Sequence, residues 1–126
     1  MKLTLLAATT LFATTMHMAQ AKKLTLDVYN PGHNSVFPVS SEIISGPTEV
    51  VLIDAQFQNN DAQKLVDKIQ KLNKKLTTIY ISHSDPDFYF GLETLTKAFP
   101  EAKVVATAET VSAINATKDG KLAYWG

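Results

Sequence analysis

The densest chemistry in this chain lies in Ile81-Ser82-His83-Ser84-Asp85-Pro86-Asp87-Phe88-Tyr89-Phe90-Gly91-Leu92, where one imidazole and two carboxylates fall within five residues. Alternate side chains of an extended backbone share a face, so His83, Asp85 and Asp87 converge if the loop stays extended. Pro86 keeps Asp85 out of the helical region. Imidazole nitrogen and carboxylate oxygen are ligands for divalent Zn, Mn or Fe. Two neighbouring carboxylates also repel unless a cation lies between them. The same residues fit a turn and helix cap, with Asp87 satisfying the first amides of a helix that begins near Tyr89. Spacing alone leaves both readings open. His33, in Pro31-Gly32-His33-Asn34, has no ligand spacing and reads as a solvated turn residue.

Such a loop needs elements to hold it. Thr77-Thr78-Ile79-Tyr80-Ile81-Ser82 is β-branched and aromatic and predicts a strand leading into it. Leu92, Leu95, Ala98 and Phe99 predict a helix leading away, stopped by Pro100. Upstream, Leu24 to Tyr29 alternates with period two, as in a strand with one wet face. Ser35 to Ser45 is β-rich, with Pro38 marking an edge or bulge. Glu49 to Asp54 is a short apolar run typical of a strand buried on both faces. Leu65, Val66, Ile69, Leu72 and Leu76 fall at helical spacing behind an N-cap at Asn60 or Asp61, with Lys64, Lys68 and Lys71 on the solvated faces. Lys103 to Ala106 predicts a further strand. Thr107 caps a last helix through Val111 and Ile114, after which Lys121 to Gly126 shows no finishing element.

The expected class is α/β: an antiparallel meander, then βαβα units, giving a mixed sheet with helices on one face. Chemistry in such sheets gathers beyond the C-terminal strand ends, here after Asp54 and after Ile81.

Composition narrows the partners. The 126 residues carry twelve Lys, no Arg and twelve acids, so there is no basic field for nucleic acid. The lack of Arg removes the usual bidentate clamp for phosphate or carboxylate. The chain has no Cys, which excludes disulfides, thiolate zinc sites and cysteine nucleophiles within it. Lys2, an uncharged stretch from Leu3 to Met16 and Ala19-Gln20-Ala21 read as a cleavable export signal over residues 1–21. The mature chain, residues 22–126, is then expected in a periplasm or outside the cell, and off the membrane once the signal is cleaved.

Taken with the Val51-Leu52-Ile53-Asp54 strand end, the His83–Gly91 loop resembles the N-terminal half of the metallo-β-lactamase fold. The family's loop reads His-x-His-x-Asp-His. His83 stands at its first His and Asp87 at its Asp, while Asp85 and Phe88 replace the second and last His. The resemblance implies half of an αββα sandwich and an exported metal-dependent hydrolase of ester, amide or lactam-type bonds. It implies a divalent cofactor, zinc first, held by His83, Asp85 and Asp87; with the last His replaced by Phe88, a mononuclear site, another metal or no metal all stay open. Asp87 would also ligate or orient the attacking water of a small-molecule substrate. Asp54 is implied to order the loop. The altered motif also fits a non-catalytic binding protein on the same fold that has lost its metal site. Either way, residues 22–126 are expected to be a fragment, a partial domain completed by a C-terminal half or a partner subunit.

Overall fold

The structure is a computed structural model and describes residues 22–126; the leader expected over residues 1–21 lies outside them. Five strands form one sheet in sequence order: β1 (Thr25–Tyr29), β2 (Ser41–Ser45), β3 (Glu49–Ile53), β4 (Lys75–Tyr80) and β5 (Lys103–Val105). The first three are antiparallel, and β3, β4 and β5 run parallel. The parallel pairs require crossovers. One contains α1 (Asn59–Lys71); the other contains the short α2 (Pro86–Tyr89) and α3 (Leu92–Ala98). The helix α4 (Ala108–Trp125) follows β5. This is the expected mixed α/β sheet. Among the described residues no helix is long and apolar enough to cross a membrane.

The core lies between one sheet face and the helices. Ile43, Leu52, Ile79 and Ile81 meet Leu65 and Ile69 of α1 and Leu95 of α3, all buried. Each such side chain contributes about 1.5–3 kcal/mol on burial. The α1 stripe ends earlier than its periodicity predicts. Asn73 takes a left-handed φ of 50° and stops the helix, so Leu76 enters the core from β4 instead. Gln58, not Asn60 or Asp61, is the N-cap of α1. The β-rich stretch from Ser35 forms a strand only from Ser41, after Pro38. At the other end α4 runs unbroken through Gly120 to Trp125, so the stretch after Lys121 that showed no finishing element is its last turn.

The alternation in β1 is real, but its polar side faces inward. Tyr29 donates to Asp61 at 2.7 Å and Lys68 pairs with Asp27 at 2.9 Å, both bonds joining β1 to α1. Leu26 and Val28 point the other way and are 62% and 52% exposed. They head two cross-strand rows, Leu26-Ile44-Val51-Thr78 and Val28-Glu42-Ile53-Tyr80-Val105, on the sheet face away from α1. Val51 and Ile53 on that face are only half-buried, so β3 is fully buried on one face rather than two.

Candidate metal centre

The C-terminal ends of β3 and β4 lie side by side and are tied together by the loops that leave them. Asp54 turns out of β3 with a φ of 64°, a left-handed conformation that Asp tolerates better than most residues. Its amide donates to Tyr80 O at 2.8 Å. The next residues bind the loop after β4: Ala55 N donates to Phe88 O at 2.8 Å, and Gly91 N to Gln56 O at 2.9 Å. Gly91 has to be glycine, since a Cβ there would lie 2.1 Å from Ala55 O and 2.8 Å from the Ala62 Cβ.

This stitching brings Asp54, Ser82 and His83 into line. The buried Asp54 carboxylate accepts from Ser82 N at 2.7 Å and from Ser82 Oγ at 2.5 Å. Ser82 Oγ also lies 2.6 Å from His83 Nδ1. A hydroxyl has one proton, and a carboxylate can only accept. With the Ser82 proton committed to Asp54, the Ser82 oxygen accepts from His83 Nδ1–H. The other ring nitrogen, Nε2, then keeps its lone pair. Metal-binding histidines are prepared in this way, with the distal N–H engaged and the ring orientation fixed. The loop-ordering role expected of Asp54 is thus visible as a chain of three groups. Ser82 was missed in the sequence, although a hydroxyl beside a strand-end His was its signal.

The carboxylates do not join this arrangement. Asp85 is extended (φ −80°, ψ 147°), as Pro86 dictates, but α2 begins at that proline. Asp87 therefore sits in a helical first turn, and the alternation that would aim it alongside His83 ends at Asp85. Asp85 is the N-cap residue without a side-chain cap bond, and its Oδ1 lies 3.5 Å from Lys121 Nζ of α4. The cap expected of Asp87 is thus moved two residues upstream. Among the described residues no group of three or more His, Asp or Glu side chains is placed to hold a metal ion. The donor chemistry fits at His83; the trio of His83, Asp85 and Asp87 is not assembled within this chain.

Aromatic rings surround the loop. Phe88 stacks on the His83 ring, with centroids 4.4 Å apart and planes at 27°. Phe90 stacks on Phe57 at 5.4 Å, and Trp125 meets both Phe37 and Phe57 edge-on. A cleft of about 250 Å³ beside the loop is lined by Phe37, Asp85, Pro86, Asp87, Lys121 and Trp125. Lys121 and Trp125 come from the end of α4, where the sequence gave no sign of a site. His33 sits exposed in a 3-10 turn, as a solvated turn residue should.

The family profile described as Metallo-beta-lactamase superfamily matches residues 34–126, which includes both strand ends and the whole His83 loop. The chain belongs to this superfamily. Structural neighbours agree. The metallo-β-lactamase FIM-1 of Pseudomonas aeruginosa, solved in a mono-zinc form, matches with a TM-score of 0.56 and 12% identity over 75% of this chain and 42% of that one. A metallo-β-lactamase of Hirschia baltica matches with a TM-score of 0.60 and 17% identity over 75% and 44%. At these identities the likeness establishes the fold. The protein YobT of Bacillus subtilis (strain 168) is 32% identical over 71 residues, covering 56% of this chain and 30% of YobT. The chain thus spans about a third of that curated relative and under half of these superfamily structures.

Proposed function

We propose that the protein is an exported, metal-dependent hydrolase of the metallo-β-lactamase superfamily, acting on an ester, amide or lactam-type bond of a small molecule. The observation that carries this reading is the Asp54–Ser82–His83 chain, which leaves His83 Nε2 free to ligate. His83 would hold a divalent ion, zinc in this reading, which when bound would lower the pKa of a coordinated water toward about 7 and polarise the bond under attack. His83 is its imidazole donor, Asp87 and Asp85 are carboxylates at hand on the same loop, and further donors come from outside the described residues. Asp87, set in the first turn of α2, would have to turn toward His83 to ligate or orient the attacking water. Lys121 pairs with Asp85 at the mouth of the cleft, and Phe37 and Trp125 form its apolar wall.

The half-exposed sheet face that carries Leu26, Val28, Ile44 and Ile53 supports completion by the remainder of the superfamily fold or by a partner subunit. Soluble monomers seldom leave such a face bare. The export assignment rests on the leader-like residues 1–21.

Two observations favour a second reading, a binding protein that has lost its metal. Phe88 lies flat on His83, and no three-donor group is assembled among the described residues. Elemental analysis of the purified full-length protein separates the two. The hydrolase reading expects one or more bound divalent ions, lost in His83→Ala and weakened in Asp87→Asn. A metal-free protein that gains no ion on reconstitution establishes the second reading.

A further inference from the structure

Trp125 belongs to two clefts: the one beside the His83 loop, and a wider one of about 490 Å³. His83, Asp85 and Asp87 do not line the second. Its volume falls among those of small-molecule sites, about 300–1,000 Å³. Phe57, Phe90 and Trp125 give it aromatic walls. Phe57 and Phe90 stack with 14° between their planes, and Trp125 meets Phe57 edge-on at 5.6 Å. Trp125 is still 43% exposed, so those contacts leave part of its ring open. Beside the rings stand Asn59 and Asn60, in the first turn of α1, and Glu93 of α3, all exposed in the same lining.

The bonds these polar side chains already make define what they still offer. Asn59 Oδ1 accepts from Thr94 Oγ1 at 3.4 Å, and Asn60 Oδ1 from Gln58 Nε2 at 3.3 Å. Each carboxamide is held through its oxygen, and its Nδ2 donors have no partner among the described residues. Glu93 gives Oε1 to Lys97 at 2.8 Å and keeps Oε2 to accept. Amide N–H groups only donate and a carboxylate only accepts, whereas a hydroxyl does both. A guest that satisfies all three residues therefore carries several hydroxyls. A purely apolar guest would strip water from these groups and return nothing. No Lys lines the cleft and Glu93 does, which disfavours an anion. The electron-rich face of an aromatic ring attracts the slightly positive C–H bonds of a guest. A pyranose has C–H bonds on its faces and hydroxyls around its rim, the same division as the cleft.

We propose that this cleft binds a neutral saccharide, with one pyranose ring against Trp125 and its hydroxyls bonded to Asn59, Asn60 and Glu93. The site is separate from the proposed hydrolase chemistry and stands whether or not His83 binds metal.

Trp125 is the only tryptophan in the chain, so its emission reports on this cleft. The experiment titrates the full-length protein with cellotriose and with triacetylchitotriose, following Trp125 fluorescence and saturation-transfer NMR of the saccharide. The expected result is a saturable change with at least one of the two. Asn60→Ala, which leaves Trp125 in place, should bind about five- to tenfold more weakly, the worth of one hydrogen bond. Trp125→Ala, read by NMR alone, should bind about tenfold more weakly. Cyclohexanol, a ring with one hydroxyl, and trigalacturonate, a pyranose chain bearing carboxylates, should not saturate the signal. Failure of both neutral saccharides to saturate, unchanged affinity in either variant, or a control that binds as tightly would each overturn the proposal.

Discussion

The imidazole of His83 lies face to face with the ring of Phe88, 4.4 Å between centroids. Offset stacking of this kind is worth about 0.5–1.5 kcal/mol beyond the area it buries. Phe88→Leu keeps the apolar bulk and removes the ring. It should cost about 1 kcal/mol in urea unfolding and move the His83 ring-proton resonances as the ring current disappears. Unmoved His83 resonances would show that the two rings are not stacked in solution.

Gly91 joins two backbones that pass too close for any side chain. A methyl group there meets Ala55 O at 2.1 Å, a backbone atom that cannot swing aside, so Gly91→Ala should lose about 3 kcal/mol. Gly120, inside α4, has no atom within 4 Å of its missing Cβ. Gly120→Ala should therefore gain about 0.5–1 kcal/mol from helix propensity. Urea midpoints of the two variants should move in opposite directions. Equal shifts would refute the close approach at Gly91.

Alkaline stability should depend on Tyr29. Burial, and then its bond to the Asp61 carboxylate, hold the Tyr29 phenol protonated up to about 12. The unfolded chain releases that proton near pH 10, about where a free tyrosine does. A raised folded pKa contributes stability that is complete below the unfolded value and is lost as pH climbs through the folded one. The wild type should therefore weaken between about pH 10 and pH 12 more steeply than Tyr29→Phe. At neutral pH the variant should itself be about 1–2 kcal/mol less stable, since it leaves the buried Asp61 Oδ1 without a hydrogen bond and with only the Lys64 ammonium at 3.8 Å. Parallel pH profiles for the two proteins would contradict the bond.

Much of this fold is legible in the residues. β-Branched runs mark β3 and β4, Leu65, Val66 and Ile69 mark α1, and Thr107 caps α4 through the Thr110 amide. What sequence misleads on is direction. The polar residues of β1 look solvent-bound, yet Asp27 and Tyr29 bond to α1 while Leu26 and Val28 face outward. Only the three-dimensional position of α1 decides that. Likewise, alternate spacing could align His83, Asp85 and Asp87 only while the chain stayed extended, and Pro86 both preserves the extended Asp85 and starts the helix that turns Asp87 away. Lys121 reaches Asp85 from 36 positions along the chain, a contact no local pattern encodes.

Asp54, acting through Ser82, fixes which nitrogen of His83 carries the proton, and long-range ¹H–¹⁵N NMR of the His83 ring reads this directly. At a pH where His83 is neutral, the relay predicts a protonated Nδ1 and an unprotonated Nε2 in the metal-free protein. In Asp54→Asn, the amide can donate to Ser82 Oγ, turning the Ser82 proton toward Nδ1 and moving the ring proton to Nε2. A wild-type ring protonated at Nε2, or a pattern unchanged by Asp54→Asn, would contradict the account.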